Sequence, residues 1–278
     1  MKTVLIAHTR IERMALVNLG YEPHTEGEGY VAQYSEEPAD ELAEFAGRNC
    51  YQSFNRPNPE TAENVDYLGK NIIGKNHESV FEHASASFYV DASRSVLTEL
   101  ERHRHLSFSV VSQRYVDASK LDFHYPPALD DLPYEDKIAG LRRLEAGWVR
   151  DLTDYTFFVN LFTDAGKPRK KAREAARAVL PNMTSSPMVV SGNHRAWRYV
   201  IKARWHEAAD AEIRDLAGEL LKQLRQIAPN TYQDIPDKPY SYGDQVYTAL
   251  EIQEMLLEIE QQRMQIEQLE LRLQEVAR

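Results

Sequence analysis

Apolar positions along the chain recur at two periods, near 3.6 and near 2, and they divide it into helices and a few short strands. The opening run, Met1 to His8 around Val4, Leu5 and Ile6, reads as a first strand. Gly20, Gly27, Gly29, Pro23 and Pro38 then mark a loop region without useful periodicity. Leu42, Phe45, Ala46 and Cys50 fall at helical spacing between Asp40 and Gln52, which puts Cys50 on an apolar stripe and makes it an expected core residue. Beyond Pro57 and Pro59, Thr61 begins a second helix with Val65, Leu68, Ile72 and Ile73 on one side. Ala84 to Val90 alternates and reads as a strand, and Ser93 is an N-cap for a helix expected to run through Leu97 and Glu101 into Arg102.

Proline and aspartate make 121–133 loop-like, and a long helix is expected from Tyr134 to Ala165. Gly166-Lys167-Pro168 breaks it, with Pro168 suited to the first turn of the next helix, which Pro181 ends. Met188 to Gly192 is a short buried strand, and Asn193 is a good N-cap for the helix that follows. Ile213, Leu216, Leu220 and Leu224 give a core face to another helix from about Glu207 to Ile227, and 229–242 reads as a linker. From Ile252 a heptad fits, with Ile252, Ile259, Ile266 and Leu273 at a, and Met255, Gln262, Leu269 and Val276 at d. Four heptads without Gly or Pro predict a coiled coil, with a single amphipathic helix packed on its own domain as the alternative. The whole is an α+β pattern of mixed helices around a small sheet, with a C-terminal helical extension. The expected divisions are a catalytic domain over 1–235, a linker over 236–246 and a coiled-coil extension over 247–278.

Composition changes this picture little. With 278 residues the chain can bury a substantial core, and its hydrophobic and charged fractions, 42% and 27%, are those of a globular protein. A net charge of -10 argues against a general nucleic-acid binder. One cysteine excludes an internal disulfide framework and any multi-cysteine metal site. No apolar run approaches the ~20 residues that span a bilayer, and the N-terminal apolar stretch is short for a secretion signal. The expectation is a cytosolic protein with no membrane and no nucleic-acid partner.

Against the acidic background, residues 102–115 stand out: Arg102, His103, Arg104, His105, Ser107, Ser109, Ser112, Gln113, Arg114 and Tyr115, with no acid among them. Arginine presents a planar fork matched to phosphate or carboxylate oxygens, and serine hydroxyls fill remaining directions. The stretch reads as a phosphate-bearing ligand site, against the plainer reading of a solvated basic helix face. Arg169, Arg173 and Arg177 form a second basic stripe at a spacing of four, and apolar neighbours suggest that Arg177 points from a semi-buried position into a site. Asn193-His194-Arg195 loads a helix start with donors, where the macrodipole already favours an anion. His77, Glu78, Glu82 and His83 form a polar cluster that could hold a metal, but no His-x-x-x-His spacing occurs.

Taken in order, Arg102-His103-Arg104, seven residues, Ser112-Gln113-Arg114-Tyr115, together with His77-x-Ser79-x-x-Glu82-His83, Arg177-Ala-Val-Leu-Pro181 and Asn193-His194-Arg195-Ala196-Trp197, resemble the flavin-dependent thymidylate synthase family over roughly 40–230. The resemblance implies a thymidylate synthase complementing-protein-like fold and conversion of dUMP to dTMP. Methylenetetrahydrofolate would be the carbon donor and NADPH the reductant, acting through FAD in a homotetramer. It implies FAD contacts from Ser79, Arg102, His103, Arg104, Asn193, His194, Arg195 and Tyr199. It implies dUMP contacts from Arg94, Glu99, Ser112, Gln113, Arg114 and Arg177, with Arg204 against the uracil ring as the catalytic residue and no metal.

Uracil C5 is a poor nucleophile, so without a cysteine adding at C6 its activation falls to charge, and an always-protonated arginine can stabilise the negative charge developing on N3 or O4. Two positions depart from the family pattern: Val110 stands where Glu or Gln is usual, and Ala208 where His or Arg is frequent, with His206 close by. Two rival readings stay open. One is a metal-dependent hydrolase using His77, His83, His103 and His105; the other is a nucleotide- or flavin-binding scaffold that has lost catalysis.

Overall fold

Four short runs rich in Ser, Ala, Val and Phe pair edge to edge because their period-2 alternation gives each one apolar face and one polar face. They are β1 (Lys2–His8), β2 (Ser85–Asp91), β3 (Ser107–Val110) and β4 (Met188–Asn193), in the order β1-β2-β4-β3, every pair antiparallel. The register sets Phe88 opposite Val190 and Phe108 opposite the same Val190, so the apolar face stays in phase across three strands. A bulge between Leu5 and Ala7 interrupts the β1 edge. This computed structural model describes residues 1–21, 37–54, 58–241 and the three residues 263, 264 and 266.

Along the chain the helices are α1 (Arg13–Asn18), α2 (Pro38–Tyr51), α3 (Asn64–Asp66), α4 (Arg94–Leu100), α5 (Tyr134–Asp164), α6 (Arg169–Ala176), α7 (His194–Arg204) and α8 (Ala211–Ile227). The chain divides into two compact units, one of 1–10 with 82–242 and one of 11–81 with 243–278. In the first, α8 packs on β1, α4 and α7. Ala86, Phe88, Val90, Met188 and Val190 are buried from the sheet, and Trp197, Ile201, Leu216, Leu220 and Leu224 from α7 and α8. Trp197 meets Phe88 edge-on, ring centroids 5.1 Å apart, while its indole N–H donates to the Ala86 carbonyl at 3.0 Å. That satisfies a buried donor which the apolar core could not.

α5 holds the second cluster of this unit. Tyr155 is buried with Ala118 and Ala176, and its hydroxyl accepts from the Ala118 N–H at 3.3 Å. Along its 31 residues only Trp148 and Tyr155 are buried, so Val149, Phe157 and Leu161 remain outside. The 229–241 stretch, read from the sequence as a linker, packs onto the same unit. Tyr232 and Ile235 are buried, Asp234 takes both forks of buried Arg198 at 2.7 and 2.8 Å, and the Trp205 indole donates to the Pro236 carbonyl at 3.1 Å.

The other unit is built on α2, which has Pro38 at its start and Gln52 in the left-handed region at its end. Here Cys50 is exposed, not a core residue; Ala39, Ala43 and Gly47 face inward instead, a stripe narrow enough to let Tyr67 approach. The helix expected from Thr61 is broken into a turn at Pro59–Thr61, the short α3 and a wider π turn over Tyr67–Ile73. That winding keeps Leu68 and Ile72 buried while Val65 is exposed. Buried Arg48 is neutralised by Glu44 at 2.6 Å and lies over the Tyr67 ring at 4.4 Å.

Two helix boundaries also differ from the sequence reading. Helix α4 stops at Leu100 instead of running into Arg102, because the following residues alternate and join the sheet as β3. α8 starts at Ala211, where the Asp210 side chain accepts from the Glu212 N–H at 3.1 Å. Most of the heptad positions lie outside the described residues; of them Ile266 is helical and exposed. No helix among the described residues is long and apolar enough to cross a membrane.

Candidate active site

The chain leaves α4 through a tight turn, 101–106, and this turn with the start of α7 encloses a cavity of about 600 Å³. Its walls are Glu82, Arg102, His103, Arg104, His105, Leu106, Asn193, Arg195, Ala196 and Tyr199. Six of the eight residues expected to contact flavin are therefore gathered in one place, all within the first unit. Antiparallel pairing brings them together: β3 and β4 lie side by side with Ser107 opposite Ser191, so the turn before β3 meets the end of β4. Asn193 closes β4 and caps α7, accepting the Ala196 N–H at 2.8 Å. Gly192 makes the approach possible. A Cβ there would come within 2.4 Å of the Leu106 side chain and 3.4 Å of the Trp197 ring.

His103 is the centre of the arrangement. It is buried, yet it forms part of the cavity wall, and Tyr199 meets it edge-on at 5.6 Å. Its Nε2 accepts from the Arg204 Nε–H at 3.1 Å. Burial, helped by the Arg204 charge, lowers its pKa to about 4, so the ring is neutral near pH 7. A neutral ring that accepts at Nε2 carries its proton on Nδ1, and that nitrogen is buried with no protein partner. Such an orphaned donor in a cavity wall fits an acceptor on a bound ligand.

Arg204 ends α7 half-buried and is held by its full fork. Nη1 donates to Glu99 Oε2 at 2.9 Å and Nη2 to the Glu99 carbonyl at 3.4 Å, while Nε faces His103. Desolvation pushes the Glu99 carboxyl above its ordinary value, with Arg204 pulling the other way. Three acceptors in fixed directions orient the guanidinium plane, which a lone ammonium could not match.

The remaining candidates separate. His194 is buried under the sheet, its Nδ1 2.9 Å from the Tyr232 hydroxyl, and it does not line the cavity; its pKa is lowered to about 4, chiefly by burial. Ser79 is exposed on the turn Glu78–Glu82 and lines a different cavity of about 560 Å³ inside the second unit, with Arg48, Tyr67, Lys75 and His77. Ser112, Gln113 and Arg114 follow β3, whose four residues set them roughly 14 Å along from the Arg104 end. Arg114 pairs with Glu174 of α6 at 2.7 Å, and Gln113 is buried with its Nε2 lacking a partner. Arg94 opens α4, half-buried, its N–H on the Thr184 carbonyl at 3.0 Å. Val110 is the last residue of β3, and the Ala208 N–H donates to His206 Nδ1 at 2.9 Å, so His206 is engaged locally.

Arg177 corrects the sequence reading. It lies in a single turn after α6 and is exposed, whereas Arg173 is the buried member of the stripe. Ala172 and Ala176 are both buried, Ala176 in the α5 cluster, and Arg173 is carried inward with them. There it donates to the Tyr115 carbonyl at 2.6 Å and to Asp117 at 2.7 Å, clamping the loop after β3. The run Ala172-Arg173-x-x-Ala176 carried that signal. Glu82, also outside the expected set, pairs with Arg195 at the cavity. No three His, Cys, Asp or Glu side chains among the described residues converge as metal ligands do.

Comparison with known proteins follows the same residues. The family model described as thymidylate synthase complementing protein matches 31–230. The chain is 66% identical over 244 residues to a protein named probable flavin-dependent thymidylate synthase from Mycobacterium phage L5, covering 87% of this chain and 100% of that one. A protein of the same name from Mycobacterium phage D29 is 64% identical over 244 residues, with the same coverage. A flavin-dependent thymidylate synthase of Mycobacterium marinum is 47% identical over 211 residues, covering 75% of this chain and 84% of that one.

Proposed function

The chain belongs to the thymidylate synthase complementing protein family, and from that membership we propose that it is a flavin-dependent thymidylate synthase. It converts dUMP to dTMP with methylenetetrahydrofolate as carbon donor and NADPH as reductant. The observation that carries this reading is the double role of His103, which forms part of the cavity wall and accepts from Arg204. One neutral ring thereby joins the flavin-binding residues to the arginine assigned to the nucleotide.

FAD fits the cavity. Its volume lies in the range of cofactor sites, three arginines line it for a pyrophosphate, and the orphaned His103 Nδ1–H offers a donor. Bound there, FAD supplies the reducing equivalents for the transfer. Arg102, Arg104 and Arg195 hold the phosphates, Asn193 and Tyr199 frame the cavity, and His103 donates from Nδ1 while keeping Arg204 in plane. The family pattern also assigns Ser79 and His194 to the flavin; neither lines this cavity, and His194 is the first residue of α7.

On the nucleotide side, Arg114 and Arg177 neutralise the phosphate, Arg94, Ser112 and Gln113 position the sugar and base, and Glu99 fixes Arg204. Arg204 stabilises the negative charge that develops on the uracil ring as C5 attacks, which removes the need for a cysteine adduct. The single cysteine, Cys50, lies on α2.

The uncovered apolar residues of α5, Val149, Phe157 and Leu161, support assembly into the homotetramer, as does a coiled-coil extension over 247–278 beyond a 1–235 catalytic domain and a 236–246 linker. A cytoplasmic location follows from the substrates. The test is release of tritium from C5-labelled dUMP by the purified yellow protein. Release that requires both NADPH and methylenetetrahydrofolate is expected. No release by protein carrying FAD would sink the enzyme reading in favour of a binding scaffold.

A further inference from the structure

The start of α6 carries cations that make few contacts within the fold. Arg173 shows what a structural cation on this helix looks like: buried, with two acceptors on the loop it clamps. Lys167 and Arg169 are exposed and have no carboxylate partner among the described residues, and Lys171 shares Glu174 with Arg114. The Lys170 ammonium sits 4.6 Å over the ring of exposed Tyr115. The first turn of α6 contains no acid, and the helix dipole opposes cations at that end, so this placement works against local stability. A chain of net charge -10 thus presents a concentrated basic stripe that begins beside Arg114 and Arg177, two residues of the nucleotide set.

We propose that Lys167, Arg169, Lys170 and Lys171, at the start of α6, bind the γ-linked oligoglutamate tail of the folate substrate. The proposal rests on the thymidylate synthase reading, because that reaction brings a folate to the nucleotide and its tail must leave from there. Arg and Lys side chains clustered on one helical turn and its approach each meet a carboxylate of a flexible chain, as exposed charge-assisted contacts. The stripe is short: α6 spans eight residues, about 12 Å, room for a few carboxylates rather than for a polynucleotide backbone. Gly166 bounds it on one side and Glu174 on the other.

The experiment compares the KM of the FAD-loaded full-length protein for methylenetetrahydrofolate bearing one glutamate or five. It uses wild type and the triple variant Lys167→Gln, Arg169→Gln, Lys171→Gln, with the flavin spectrum and Tm confirming that the variant folds. Wild type is expected to favour the pentaglutamate by about tenfold, the order given by several exposed ion pairs acting together. That preference is expected to fall to twofold or less in the triple variant and, in wild type, at about 0.5 M salt. Equal KM values in wild type, or a preference that survives in the variant, overturn the proposal.

If neither folate yields dTMP while FAD is bound, the enzyme reading fails, and calorimetry with free penta-γ-glutamate then decides the stripe alone. Binding by wild type and not by the triple variant upholds the anion site, and no binding overturns it. Tighter binding of a single-stranded oligonucleotide than of the pentaglutamate overturns it in favour of a nucleic-acid surface.

Discussion

Replacing Arg204 by lysine keeps the charge and removes the geometry, so it separates two ways in which this residue can act. The guanidinium reaches His103 Nε2 at 3.1 Å, Glu99 Oε2 at 2.9 Å and the Glu99 carbonyl at 3.4 Å from three different nitrogens. A single ammonium cannot serve both partners. It settles on Glu99, the one that carries opposite charge, and leaves the plane proposed to face the uracil ring.

Loss of one aligned donor to a developing anion costs roughly 10²–10³ in kcat, about 2.7–4 kcal/mol. Arg204→Lys is therefore expected to lower kcat by about a hundredfold, and Arg204→Ala, which also removes the charge, by nearer a thousandfold. The KM for dUMP should move much less than kcat, since the phosphate contacts are proposed to lie on Arg114 and Arg177. Flavin content should hold, because Arg204 is not part of the cavity wall. Tritium release from labelled dUMP gives kcat and KM, and the flavin absorbance gives cofactor content. A kcat for Arg204→Lys within threefold of wild type would refute the reasoning, since charge without orientation would then suffice.

Three further outcomes follow from the same geometry. Asn193→Ala removes the cap of α7 and is expected to cost about 1 kcal/mol, a drop of roughly 2–4 °C in Tm, together with weaker flavin retention. Gly192→Ala drives a methyl to 2.4 Å from Leu106 and is expected to cost about 1–3 kcal/mol, read as a shift in the urea midpoint. His103 and His194 both titrate near 4 in the folded chain against about 6.5 unfolded, so the unfolded state binds more protons between those values and stability falls as pH drops through that window. The slope approaches about 2.7 kcal/mol per pH unit for the two together, and His194→Asn is expected to halve the acid loss. Comparing variant with wild type at each pH cancels the carboxylates, and an unchanged slope would show that His194 does not carry this linkage.

Much of the frame was legible because it depends on local pattern. Ser93 and Asn193 cap their helices as their side chains demand, and the long periodicity of α5 ends one residue from its expected limit. What misled were residues whose environment is set by neighbours distant in sequence. Cys50 lies at helical spacing from true core positions, but the inward face of α2 is the one lined by Ala39, Ala43 and Gly47. Arg177 was expected to be semi-buried from its apolar neighbours, yet the turn after α6 leaves it exposed and the helix carries Arg173 inward. The alternation Leu106-Ser107-Phe108-Ser109-Val110 was a strand signal hidden inside a basic stretch, masked by the eye-catching arginines on either side.

That strand also explains why one basic stretch can serve two ligands. A continuous helix through Arg102 and Arg114 would have spread both sets of cations around one cylinder, with neighbours every third or fourth residue. As β3, the segment is extended: it fixes His103 and Arg104 at one end against β4 and α7, and delivers Ser112 and Arg114 at the other, where Arg173 and Glu174 of α6 hold the following loop. On the proposed assignment, separation along the strand keeps two anionic ligands from competing for the same arginines. His103 alone reaches across, touching the cavity with one side of its ring and Arg204 with the other, and it can do so only while burial keeps it neutral. The low pKa of this histidine is therefore a condition of the arrangement, because a protonated ring would set two donors face to face and release Arg204 from its plane.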